Sequence, residues 1–185
     1  GIYFKHDMDT LKDLAERAGK LGAERFVLDD GWFIGRNDDT AALGDWYVDQ
    51  AFYPDGLGPL IDHVKAHGLE FGLWFEPEMV NPDSNLFRTH PEWVLSCAGN
   101  EQLGFRHQLV LDLTRPEVFD YLYERLDSLL SEYDISYVKW DMNRDINHAG
   151  DAAGKPAIHR QTLAFYHLVA ALKAKHPSVE IESCA

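Results

Sequence analysis

Five short apolar runs alternate with helix-length amphipathic stretches along this chain, and four of the runs end on carboxylates. Arg25-Phe26-Val27-Leu28 leads into Asp29-Asp30, and Leu69 through Phe75 ends at Glu76-Pro77-Glu78. Gln108-Leu109-Val110-Leu111 ends at Asp112, Ile135 through Trp140 ends at Asp141, and Val179 through Cys184 reads as a further strand. Between them lie helical patterns. Leu11, Leu14, Ala15, Ala18 and Leu21 share one face before Gly22, and Leu60, Ile61 and Val64 share another before Gly68. Thr114-Arg115-Pro116-Glu117 reads as a capping box that opens a helix with Val118, Leu122, Leu126, Leu129 and Leu130 on its apolar face. A last helix is expected from Ile158 to Lys175.

Alternation without hairpin signals predicts parallel strands joined by crossover helices, either a doubly wound sheet or a (β/α)8 barrel. No GxGxxG or GxxxxGK[ST] follows the first strand, which weakens the nucleotide-binding sheet. The strand-end acids favour the barrel, because a barrel gathers those ends on the face where its active sites lie. The expected fold class is therefore α/β, a partial (β/α)8 TIM barrel with roughly five parallel strands and crossover helices. Residues 1–185 are expected to form part of one catalytic domain, truncated at both ends, since a whole barrel needs about 200 residues or more.

The formal net charge of -14 repels phosphate backbones, so nucleic acid is not an expected partner. No apolar run approaches the roughly 20 residues of a membrane span. The two cysteines, Cys97 and Cys184, form no CxxC pair, and the chain starts at Gly1-Ile2-Tyr3-Phe4 without a signal-peptide pattern. Together these features predict a reducing, cytoplasmic setting. No metal-ligand motif such as HExxH appears among the histidines, and neither a metal nor another cofactor is expected.

The candidate chemistry sits at the strand ends. Side chains alternate along a strand, so Lys139 and Asp141 are expected on the same side, where the lysine favours an ionised carboxylate. A structural ion pair fits the same pattern. Asp29 and Asp30 repel each other and call for a ligand, a metal or a counter-charge, and carboxylates suit sugar hydroxyls. Trp32 and Trp74 suit the apolar face of a pyranose, or core packing. Glu76 and Glu78 are expected either to orient a ligand or to cap the following segment, and Arg106 and His107 precede the third strand.

These motifs closely resemble the bacterial α-galactosidases of glycoside hydrolase family 36. The likeness rests on Phe26-Val27-Leu28-Asp29-Asp30-Gly31-Trp32-Phe33, on Gly72-Leu73-Trp74-Phe75-Glu76-Pro77-Glu78-Met79 and on Tyr137-Val138-Lys139-Trp140-Asp141-Met142-Asn143-Arg144. Leu109 to Leu113 and Ile181-Glu182-Ser183-Cys184 extend it to the end of the chain. The resemblance implies a retaining hydrolase of terminal α-D-galactosyl residues, of melibiose or raffinose type, with Asp141 as nucleophile of a covalent glycosyl-aspartate intermediate. It implies that Asp29 and Asp30 hold the galactose 4- and 6-hydroxyls and that Lys139 and Asn143 bind hydroxyls around the nucleophile. It further implies that Trp74 lines the pocket, Arg106 reaches the sugar and Cys184 lies near the 2-hydroxyl. Its acid/base, an aspartate on the strand after Glu182-Ser183-Cys184, lies beyond these residues, so this segment alone is expected to be inactive. The full-length parent can be homo-oligomeric.

Two positions depart from the family. His107 stands where many relatives have Asn, and Ala185 follows Cys184 where Ser is usual. Three alternatives stay open: an α-N-acetylgalactosaminidase, a metal-dependent barrel hydrolase or isomerase using Asp29, Glu76, Asp112 and His107, and a carbohydrate-binding module without catalysis.

Overall fold

The computed structural model describes residues 2–97 and 99–184; Ala185, one of the two departures, falls outside them. Four strands form one parallel sheet: β1 (Arg25–Leu28), β2 (Glu70–Phe75), β5 (Tyr137–Asp141) and β6 (Glu180–Cys184), in the spatial order β1-β2-β5-β6. A separate antiparallel pair joins β3 (Met79–Val80) to β4 (Leu109–Val110). From Phe71 onward β2 is buried on both faces, as a central parallel strand between helical layers should be.

The helices are α1 (Met8–Lys20), α2 (Gly58–Ala66), α3 (Asn85–Thr89), α4 (Pro116–Glu132) and α5 (Ile158–Lys175). Asp7 caps α1 by accepting from Thr10 N at 3.0 Å. Beyond α1 the chain turns at Gly22, whose φ of 80° is open to glycine without steric cost. Helix α1 packs on α2, and α4 on α5. Leu122, Leu126 and Leu129 keep the spacing of one helical face, and with Val118 and Leu130 they are buried in α4. Each such leucine or valine contributes about 1.5–3 kcal/mol when fully buried.

Several expectations need correction. The parallel sheet has four strands among the described residues, because the run at Leu109-Val110 pairs with Met79-Val80 instead. The edge of β2 that such a strand would need is occupied by β5, in the register Gly72↔Tyr137 to Phe75↔Trp140. The capping box at Thr114 is absent. Arg115 is the N-cap of α4 with no side-chain bond, while Thr114 donates its N–H (3.1 Å) and hydroxyl (2.5 Å) to Asp112 Oδ1. Leu14 and Leu21 are exposed; Leu21 lies at the C-cap, where the helical face has ended. Helix α3 arises within the expected loop, capped by Ser84 Oγ on Phe87 N at 3.0 Å and by Asp45 on the N–H groups of Asn85 and Leu86.

Candidate active site

The C-terminal ends of β1, β2 and β5 open into a cavity of about 600 Å³. Asp29, Asp30, Trp74, Arg106, Asp141 and Asn143 all line it. Lys139 reaches its rim through Asp29, and Cys184 sits beside it because Cys184 and Asp141 are register partners on β6 and β5. The eight residues that the family resemblance assigns to the sugar site thus gather at or beside this cavity.

Asp141 is half-buried and fixed by three donors. Met142 N donates to Oδ1 at 2.9 Å, while Trp74 Nε1 (3.0 Å) and Asn143 Nδ2 (2.8 Å) donate to Oδ2. The expected pairing with Lys139 is not the one formed. Lys139 Nζ bonds Asp29 Oδ2 at 2.8 Å, because parallel pairing sets Lys139 level with Trp74 and turns its stem toward the acids after β1. Burial works against the charged lysine, but its hydrogen bond and attraction to Asp29 outweigh that and hold it above the usual lysine range.

The counter-charge demanded by adjacent carboxylates is therefore divided. Asp29 takes Lys139, and Asp30 takes Arg36, which lies in the loop after β1. Arg36 is only 2% exposed and grips Asp30 with two parallel bonds, Nε to Oδ1 at 2.9 Å and Nη2 to Oδ2 at 2.7 Å. Its Nη1 donates to Ala41 O and Asn81 Oδ1, and Asn81 Nδ2 donates onward to His107 O at 2.8 Å. Sequence reasoning missed Arg36 and Asn81. The only signal for Arg36 was the unmet charge of two neighbouring acids, which does not say which distant cation answers it. His6 was likewise unmarked, yet its Nε2 lies 2.9 Å from Asp30 O and its Nδ1 lies 2.5 Å from the Tyr53 hydroxyl. Burial lowers the pKa of His6 despite the nearby acids.

Arg106 and His107 form the centre of a tight turn between Phe105 and Gln108, with φ of 54° and 58°. Arg106 is exposed, its Nη1 3.5 Å from Asn143 Oδ1. Trp74 stacks on Phe33 with ring centroids 6.4 Å apart and an interplanar angle of 6°. Trp32 is instead a core residue, fully buried against Phe33, Trp46 and Phe75, with its indole N–H on Trp74 O at 2.9 Å. Burial, then the Asp141 charge, push the Cys184 thiol up, which keeps it a neutral donor.

The remaining strand-end acids are structural in their contacts. Glu76 is 1% exposed and accepts from Asn143 N at 2.5 Å and Gln108 Nε2 at 3.0 Å. Burial raises its pKa, and the charge of Asp141 adds to the rise. Glu78 accepts from Trp140 Nε1 at 3.2 Å, and burial raises its pKa as well. Neither caps a helix. Asp112 is buried and turned onto Thr114. Among the described residues, no three His, Cys, Asp or Glu side chains gather as a metal-binding group. Nor is any helix long and apolar enough to cross a membrane.

Comparison with known proteins bears on this arrangement. The α-galactosidase of Escherichia coli is 57% identical over all of this chain, and the matched part is 26% of its length. Mel36A of Lactobacillus acidophilus, also an α-galactosidase, is 42% identical over 99% of this chain and 26% of its own. The crystal structure of the family 36 α-galactosidase AgaA from Geobacillus stearothermophilus superposes with a TM-score of 0.94 at 41% identity, covering 100% of this chain and 26% of that one. A variant of AgaA in complex with raffinose gives a TM-score of 0.92 at 41% identity, over 98% of this chain and 26% of that one. The chain thus spans about a quarter of the relatives it matches. The family model described as Melibiase matches residues 1–185, and the chain belongs to the melibiase family.

Proposed function

We propose that the protein carrying this chain is a retaining α-galactosidase that hydrolyses terminal α-D-galactosyl residues of galacto-oligosaccharides, in a cytoplasmic setting. The observation that carries the reading is the Asp141 carboxylate, fixed by three donors at the rim of a cavity that also holds Asp29, Asp30 and Arg106. Residues 1–185 supply part of one barrel domain in this reading.

Asp141 attacks the anomeric carbon and forms a glycosyl ester while the leaving oxygen takes a proton. Water then cleaves the ester, so two inversions retain the configuration. Asp29 and Asp30 accept from the sugar hydroxyls, and their cationic partners hold them in place before the sugar arrives, which spares reorganisation in the transition state. Lys139, Asn143, Arg106 and Cys184 donate to further hydroxyls, with Trp74 as the wall. The acid/base belongs to the strand that follows in the resembling family, and must face Asp141 at about 5–5.5 Å.

The test is made in a full-length context, with this chain replacing the matching quarter of the Escherichia coli relative. Asp141→Ala abolishes hydrolysis while most of the affinity for galactose remains, because a nucleophile acts chiefly in the transition state. Azide with an activated α-galactoside then restores turnover and yields the β-galactosyl azide. Full activity without rescue, or an α-configured azide, overturns the assignment.

A further inference from the structure

Among the described residues, Glu76 is the one fully buried acid whose contacts run to the proposed nucleophile. It leaves the end of β2 two residues after Trp74. Its Oε1 accepts from the main-chain N–H of Asn143 at 2.5 Å, and the Asn143 amide donates from Nδ2 to Asp141 Oδ2 at 2.8 Å. Its Oε2 accepts from Gln108 Nε2 at 3.0 Å, and Gln108 is itself 2% exposed. A chain of bonds therefore runs Gln108, Glu76, Asn143, Asp141, buried at its start and part-buried toward the cavity.

Asn143 lies beyond the end of β5, in a segment with no ladder partner of its own. Its neighbours are tied, Met142 N to Cys184 O and Arg144 Nη1 to Gln108 O, while the main-chain N–H of Asn143 itself is held by Glu76. Loss of the Glu76 bond would leave a part-buried N–H without its partner, at a cost of about 1 kcal/mol, and the segment would relieve that cost by moving. Trp74, the other side-chain donor to Asp141 Oδ2, needs no such help, since its own strand fixes it.

We infer that Glu76 is a positioning residue for the nucleophile, acting through Asn143: its carboxylate pins the Asn143 main chain, which sets the Asn143 amide on Asp141. This rests on the reading of Asp141 as nucleophile. Gln108 orients Glu76 in turn. Glu76 does not itself line the cavity and reaches the lining only through Asn143, so its role is one of geometry, where a displacement near 1 Å costs on the order of 100-fold.

The experiment is a double-mutant cycle in the full-length context, read with an activated α-galactoside. Glu76→Met fills the volume without accepting a hydrogen bond. It lowers kcat by about 10–100-fold and leaves KM within about threefold. Glu76→Gln keeps an acceptor for Asn143 N and restores most of that loss. Gln108→Met, a milder change, lowers kcat by about 3–10-fold. In an Asn143→Ala background, where there is no amide left to position, Glu76→Met and Gln108→Met each cost less than about threefold more. Equal losses with and without the Asn143 amide, or a loss confined to KM, overturn the inference. Should Glu76→Met not fold, Gln108→Met decides by the same cycle. An Asp141→Ala protein that still turns over overturns the nucleophile reading itself; an inactive, azide-rescued Asp141→Ala beside an additive Glu76 cycle overturns only the role of Glu76.

Discussion

Arg106 holds a backbone conformation that an L-residue adopts at a cost, and that cost is measurable separately from its chemistry. Phe105 and Gln108 close a two-residue turn, with Gln108 N on Phe105 O at 3.0 Å, and both central residues have positive φ. This is the geometry that Asn-Gly satisfies with least strain. A non-glycine residue in the left-handed region costs roughly 1–2 kcal/mol, whereas glycine's extra freedom in the unfolded chain returns about 0.5–1 kcal/mol of any gain. Arg106 is exposed and its side chain makes one long contact, so its removal forfeits little packing. Arg106→Gly should then be more stable than Arg106→Ala by about 0.5–1 kcal/mol, since alanine keeps the strain. Both should lose activity alike, by about 10–100-fold in kcat/KM, the worth of a charged donor to a sugar hydroxyl. Urea unfolding followed by tryptophan fluorescence, with initial rates on the same samples, reads both quantities in the full-length context. A glycine variant less stable than the alanine variant would refute the strain. Full activity in either would refute the contact with the sugar. A glycine variant both steadier and slower would mark this turn as a place where backbone strain is tolerated for function.

Two further outcomes test the supports of the site. Gly31 has φ of 109° and an added Cβ would lie 2.9 Å from His6 Nε2, so Gly31→Ala should destabilise by about 2–3 kcal/mol, and an unchanged melting temperature would show that His6 is not docked there. For Glu78, burial raises the folded pKa above the unfolded value of about 4.3. Its contribution to stability is then present below that unfolded value and is lost as pH rises through the folded one. Glu78→Gln keeps an acceptor for Trp140 and should gain stability over the parent progressively from about pH 4 upward; a difference constant across pH would refute this.

Much of the fold was legible because its signals are local. The apolar face of α4 from Val118 to Leu130 is the face that is buried, and α5 runs from Ile158 to Lys175 as its pattern requires. Leu109-Val110 misled because a short apolar run ending in an acid looks alike whether it enters the main sheet or pairs elsewhere. Only the occupied edge of β2 decides between them, and that is a fact about distant residues. The site was legible for the same reason that its supports were not. Asp29, Asp30 and Asp141 announce themselves by following strands. Arg36 lies in a loop and Asn81 just past β3, with nothing in their neighbours to mark them.

The strand-end acids also divide into those that face the cavity and those turned onto the scaffold. All stand at similar points of the repeating pattern, so position alone does not sort them. Asp112, Glu76 and Glu78 are buried, and their donors are the protein's own main chain, hydroxyl, amide and indole groups. Asp29 and Asp141 keep exposed surface toward the cavity. Asp30 lies between the two classes: Arg36 takes one bond from each of its oxygens, yet its side chain is still 21% exposed. A carboxylate oxygen has two lone pairs, so each can hold the guanidinium and still accept a hydroxyl. The buried arginine thus aims Asp30 without using it up. Lys139 does the same for Asp29 through a single oxygen. Each of the two adjacent acids thus has its own cation, which offsets the repulsion between them while both still face the cavity.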